Sequence, residues 1–266
     1  MLCSVYSACR CGATLVLACV LVVAAQAQGG RRTDVLLYQR PILPLFVGIE
    51  GGYGRWTNEA SFTVSDSKLP CALFTDGEGS GPLGGVKAVI YFNRWFFFSP
   101  RARYETRSGT FLTPLPDEPV RDETNAIVQL SQEAQVDATM ATFTFDPLVG
   151  IEIARTGFYL CGGPSVSLLL DGTYDYTERI KSPSRFTYVA TGTTEQSLVA
   201  GRSFENYQQL AFDLRGGAGF ILRLGKFGLN PEVFYSFPLT SALNSPDKMK
   251  QTGVVGTFSI LYNLGE

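Results

Sequence analysis

A two-residue alternation runs through most of this chain and leaves few folds open. From Leu210 to Leu224 one set of positions reads Leu210, Phe212, Leu214, Gly216, Ala218, Phe220, Leu222 and Leu224, while the set between carries Asp213, Arg215 and Arg223. Successive side chains of a strand point to opposite faces, so such a run is a strand with one apolar and one charged side. Residues 227–239, 254–264, 96–107, 142–153 and 158–171 repeat the pattern. Two shorter runs, 45–56 with Glu50 and 83–93 with Lys87 on the polar side, complete a set of eight. No long stretch carries the 3.6-residue period of a helix.

The spacing between runs carries a second signal. The connections cover 57–82, 94–95, 108–136, 155–157, 176–205, 225–226 and 241–249, so long and short alternate without exception. Tight turns on one side and larger loops on the other are the habit of a membrane barrel. The expectation is an all-β fold: a closed, antiparallel, eight-stranded, up-and-down transmembrane β-barrel, with both chain ends on the short-turn, periplasmic side. In a membrane barrel the apolar faces meet lipid and the polar faces line the interior. The expected interior network is Glu50, Lys87, Arg101, Arg103, Glu105, Arg107, Asp146, Glu152, Asp171, Asp213, Arg215, Arg223 and Glu232, with Asp175 on the same polar face. Opposite charges would neutralise one another there, since an isolated charge away from water is costly. The interior of an eight-stranded barrel is only just wide enough for side chains, too narrow for the Phe, Leu and Ile of the other face. Tyr91, Phe92, Trp95, Phe96 and Phe97 near one turn, and Tyr53, Trp56, Tyr104, Tyr174 and Tyr176 toward the long loops, are expected as two interfacial aromatic belts.

Residues Ala13 to Ala25 form a short apolar run followed by Ala25-Gln26-Ala27, the pattern of a cleaved secretory signal peptide. The expected organisation is a signal peptide over 1–27, a periplasmic N-terminal segment over 28–44 and an outer-membrane β-barrel domain over 45–266. Beyond the leader only Cys71 and Cys161 remain. The topology puts them at opposite ends of the barrel, and no disulfide between them is expected. The chain has no histidine, which removes Ser–His hydrolysis and the usual zinc sites. Asp76-Gly77-Glu78-Gly79-Ser80 has too few carboxylates for a calcium loop. The interior acids are matched by arginines, so a salt-bridge network is the expectation rather than an active site: no enzyme, no cofactor, no metal. A formal net charge of -2 gives no basic bias toward nucleic acid.

Phe145-Asp146-Pro147-Leu148 followed by Gly162-Gly163-Pro164-Ser165-Val166-Ser167, together with Pro100-Arg101-Ala102-Arg103-Tyr104-Glu105, resembles the PorT-like group of small, OmpA-type outer-membrane barrels. The resemblance covers most of the chain past the leader as a pattern, and its motifs are short. It implies location and fold more than activity, with outer-membrane lipids, lipopolysaccharide and the barrel-assembly machinery as partners. Such proteins often end in an aromatic residue, whereas here the last aromatic is Tyr262. Four roles follow as expectations: a structural or surface-interaction barrel, an accessory of a secretion or outer-membrane assembly system, a narrow porin-like channel, or a soluble ligand-binding barrel in the periplasm.

Overall fold

The computed structural model describes residues 44–63, 72–122, 125–153, 156–204, 207–244 and 246–264. The expected leader, nearly all of the segment 28–44, and Cys71 lie outside these residues, and the expectation for the Cys71–Cys161 pair lies there with them. Alternating sequence becomes strand throughout: β1 (Leu45–Thr63), β2 (Leu73–Tyr91), β3 (Phe96–Pro114), β4 (Glu118–Arg121), β5 (Ile127–Glu152), β6 (Phe158–Ser182), β7 (Glu195–Ser203), β8 (Leu210–Phe220), β9 (Leu222–Leu224), β10 (Phe227–Pro238) and β11 (Lys248–Asn263).

All pairings are antiparallel. Eight strands follow one another through the ladder in the order β1, β2, β3, β5, β6, β8, β10, β11. The ladder then returns to its start, because β11 pairs with β1 from Phe46↔Asn263 to Ser61↔Lys248. These eight strands make a ring, and β4, β7 and β9 are additions to it. Short turns join β2 to β3, β5 to β6 and β9 to β10. Gly157 (φ +85°) and Gly225 (φ +62°) supply the left-handed backbone that two of those turns need.

The strands are longer than the alternation in the sequence suggests. Most of the expected loops 57–82, 108–136 and 176–205 is strand: β1 and β2 run on to Thr63 and from Leu73, β3 to Pro114, β5 from Ile127 and β6 to Ser182. The reason is a reversal of polarity along single strands. In β5, Thr142, Thr144 and Asp146 face inward and are buried while Phe143 and Phe145 are exposed. Eight residues earlier the same inward positions carry Ala134, Val136, Ala138 and Met140, all buried, and the outward ones are Glu133, Gln135, Asp137 and Thr139. Alternation persists across the change, but its apolar phase moves from the outside to the inside. The lower storey has a hydrophobic exterior, and the upper storey is built as a water-soluble protein is.

Each storey has its own core. In the upper one Phe62, Phe74, Phe111, Met140, Tyr176 and Met249 lie within one buried cluster, with Phe62 stacked on Phe74 and edge-on to Phe111. In the lower one Phe46, Trp56, Tyr91, Phe97, Tyr159 and Leu261 lie within another. Close packing there requires missing side chains: a Cβ on Gly253 would lie 2.1 Å from the Trp56 ring, and one on Gly150 would lie 2.1 Å from Phe97.

The expected aromatic belts therefore divide. Tyr53, Tyr104, Phe92, Trp95 and Phe96 are exposed on the outer face, whereas Trp56, Tyr91, Phe97, Tyr174 and Tyr176 are interior. The second group occupies inward positions of the alternation, and the rings fill space between strands rather than meeting the surface.

Candidate functional site

The interior of the lower storey is the candidate site, because a charged side chain held away from water there must be satisfied by its neighbours. Strand β3 contributes four charged residues to it: Arg101, Arg103, Glu105 and Arg107 all point inward and are buried. β1 adds Glu50, β2 Lys87, β5 Asp146, β8 Asp213 and Arg215, and β10 Glu232, each buried. They form one connected set. Arg101 holds Glu232 through two parallel contacts of 3.0 Å, the fork-to-carboxylate geometry that suits guanidinium. Lys87 Nζ reaches the same carboxylate at 2.7 Å and Asn230 Oδ1 at 2.6 Å. Tyr159 and Thr257 hydroxyls also donate to Glu232.

Glu50 links Arg101 (3.4 Å) to Arg103 (3.6 Å). Arg103 also pairs with Asp146 and, at 3.2 Å, with Glu105. Glu105 accepts from Arg215 at 2.8 and 3.0 Å and pairs with Arg107 at 3.0 Å. Arg107 closes the set on Asp213 at 3.4 Å and stacks over the Trp56 ring at 4.5 Å. Toward the short turns, Arg223 and Glu152 pair at 2.8 Å, with the Tyr91 hydroxyl also donating to Glu152.

Two residues expected in this network are elsewhere. Asp171 and Asp175 are exposed. The cause is a register shift between β5 and β6, where Ala141↔Asp171 is followed by Thr142↔Leu169. The bulged extra residue turns the strand over, so that Leu169 faces in while Leu170 and Asp171 both face out. Asp175 instead accepts from the Gly201 backbone N–H at 2.6 Å. Arg223 is only partly enclosed, with its side chain 43 % exposed, because it stands at the end of the ring. With the two aspartates outside, the interior holds six cations (Lys87, Arg101, Arg103, Arg107, Arg215, Arg223) and six carboxylates (Glu50, Glu105, Asp146, Glu152, Asp213, Glu232). It is formally neutral, where the sequence gives an excess of two acids.

Sequence reasoning missed the uncharged members. Tyr159, Asn230, Ser167 and Thr257 bond to the charged groups. Each stands at an inward position, and parity alone could have found them. Between this layer and the upper core, a cavity of about 20 Å³ touches Arg107, Asp213, Ser167, Thr142 and Gln251, room for about one water. Among the described residues no cluster of three or more Cys, Asp or Glu side chains is arranged to hold a metal ion.

Residues 26–244 match the family model described as the outer membrane protein beta-barrel domain. The chain belongs to that family. Its place is accordingly the bacterial outer membrane. Solved structures that are similar include Ail, the attachment invasion locus protein of Yersinia pestis, at 12% identity and TM-score 0.33, covering 82% of this chain and 98% of that one. Neisserial surface protein A is similar at 9% identity and TM-score 0.34, over 82% and 96% of the two chains. The outer-membrane protease OmpT of Escherichia coli is similar at 6% and 0.33, over 88% and 100%. No curated protein sequence matches the chain.

Proposed function

We propose that this member of the outer-membrane β-barrel domain family is a closed, eight-stranded transmembrane barrel that serves, without enzymatic activity, as a rigid scaffold for interactions at the cell surface. The observation that carries this reading is the upper storey. A strand needs only about 9–11 residues to cross a membrane, yet β1, β2 and β3 have 19 each, β5 has 26 and β6 has 25. The surplus is a body with its own apolar core and a polar exterior, and a rigid platform bearing loops is what recognition uses. In this reading the body is extracellular and lipopolysaccharide surrounds its base. The chain enters the membrane through the barrel-assembly machinery after losing its signal peptide.

Conduction fits less well, since the interior is crossed by a neutral ionic layer packed among apolar side chains. Catalysis fits less well too, because the interior carboxylates each have a cationic partner. The Phe145-Asp146-Pro147-Leu148 and Gly163-Pro164-Ser165 segments support a second reading, a PorT-like accessory of a secretion system. Two measurements test the proposal. Protease added to intact cells should cut near Arg121 or Arg185, and planar bilayers should show no stable conductance. Large stable steps would replace the scaffold with a channel, and co-purification with a secretion complex would favour the accessory role.

A further inference from the structure

The ring's wall is not equally bonded all round. Between β5 and β6 the pairing runs to Phe145↔Val166 and resumes at Val149↔Gly162, with nothing paired between. The register across the gap sets Pro147 against Pro164 and Asp146 against Ser165. Hydrogen-bonded pairs recur at every second residue of an antiparallel ladder, so 145/166, 147/164 and 149/162 are of one type. On its other side Pro147 faces Pro100 with the ladder unbroken at Ser99↔Leu148 and Arg101↔Asp146. The polar edge of Pro147 therefore points into the β6 seam. Neither proline has an N–H to give, so each carbonyl oxygen faces a ring nitrogen with no proton to donate. Such a pairing is foreign to a sheet interior, where proline is confined to edges and bulges.

The inner side of the same gap is also short of partners. Asp146 Oδ1, Ser165 Oγ and Arg103 Nη1 are buried without a hydrogen bond, although Asp146 pairs with Arg103 and Arg215 through its other oxygen. Gly163 lies close alongside, and a Cβ there would be 2.8 Å from the Pro147 oxygen. Acceptors and donors thus converge from the wall and from the ionic layer. With two arginines beside Asp146, a further cation is repelled, and the neutral ligand that both donates and accepts is water.

We propose that the Pro147–Pro164 seam is a water-binding gap in the wall, in which water joins the two proline carbonyls to Asp146, Ser165 and Arg103. Water there reaches the ionic layer from the side, whereas the β1–β11 ladder is paired without a break from Phe46↔Asn263 to Ser61↔Lys248.

The test is amide hydrogen exchange by NMR on the full chain in lipid nanodiscs. The N–H groups of Phe145, Val149, Gly162 and Val166 should exchange about tenfold or more faster than amides at equal depth along the β1–β11 seam. Water-to-protein magnetisation transfer should reach the same four residues. Replacing both prolines (Pro147→Val with Pro164→Val) supplies two N–H donors. It should slow that exchange to the β1–β11 level and raise the temperature at which the barrel loses its compact gel mobility. Exchange in the unaltered protein as slow as at β1–β11 would overturn the proposal without any variant. So would a folded double variant whose exchange matches that of the parent.

Discussion

Each charge inside the ring is tolerable only because of its neighbours, and Arg215 shows how tightly they are tied. Its guanidinium meets both oxygens of Glu105 and one of Asp146, with essentially no exposure. A buried pair is weak evidence for stability, since forming it costs desolvation, but removing one member strands the other. Arg215→Met should therefore cost about 3–5 kcal/mol in urea unfolding from detergent, and adding Glu105→Gln should restore part of the loss. A single variant as stable as the parent would mean that water, not Arg215, solvates Glu105. The exposed Arg55–Glu78 pair at 2.7 Å is a contrasting case, because pairs open to solvent contribute about 0–1 kcal/mol.

The outward face of a strand in this protein changes character along its length, from polar to apolar. Val233 lies near the middle of β10 and is exposed, among Tyr235, Phe237 and Phe258. Thr139 also faces outward, but in the upper part of β5 beside Asp137. The same substitution should have opposite consequences at the two positions. Val233→Arg should cost about 2–4 kcal/mol of folding free energy into bilayers, the usual penalty for a cation at the lipid midplane, whereas Thr139→Arg should change stability by less than about 0.5 kcal/mol. Equal costs would place both residues in one medium and remove the two-storey description.

Across the whole molecule, the upper body is held together partly by contacts between its connections. The β4–β5 hairpin meets the β6–β7 connection through Arg185 and Asp122 at 2.8 Å and through Gln132, which donates to the Tyr188 hydroxyl at 3.3 Å. Lys181 pairs with Glu133 and Arg179 with Glu195 alongside. Within this junction Glu178 is pushed above its ordinary carboxylate value, first by burial and then by the charge of Glu118. A pKa raised on folding gives stability that is fully present below the unfolded value and is lost as pH rises through the folded one. The hairpin should accordingly be held more firmly in mild acid than at neutral pH. Limited proteolysis near Arg121 should slow as pH falls from neutral through the raised Glu178 value, and Glu178→Gln should abolish the dependence. An unchanged pH profile in that variant would assign the effect to another group.

Side-chain parity is a local property, and so the strands, the outward apolar face and nearly all of the interior charges were readable from residues 45–264 alone. Arg101, Arg103, Glu105 and Arg107 alternate with Ala102, Tyr104 and Thr106, and no partner strand is needed to see that they share a side. Other features depend on strands meeting. Asp171 left the interior because β6 carries an extra residue opposite Ala141, which only the pairing with β5 reveals. The long strands were hidden as loops because alternation signals a strand without saying which face is dry, and here the dry face changes sides. The order of neighbours, the balance of six charges against six and the confrontation of Pro147 with Pro164 all arise from residues far apart in the chain. Their energies exist only once the backbone has brought them together.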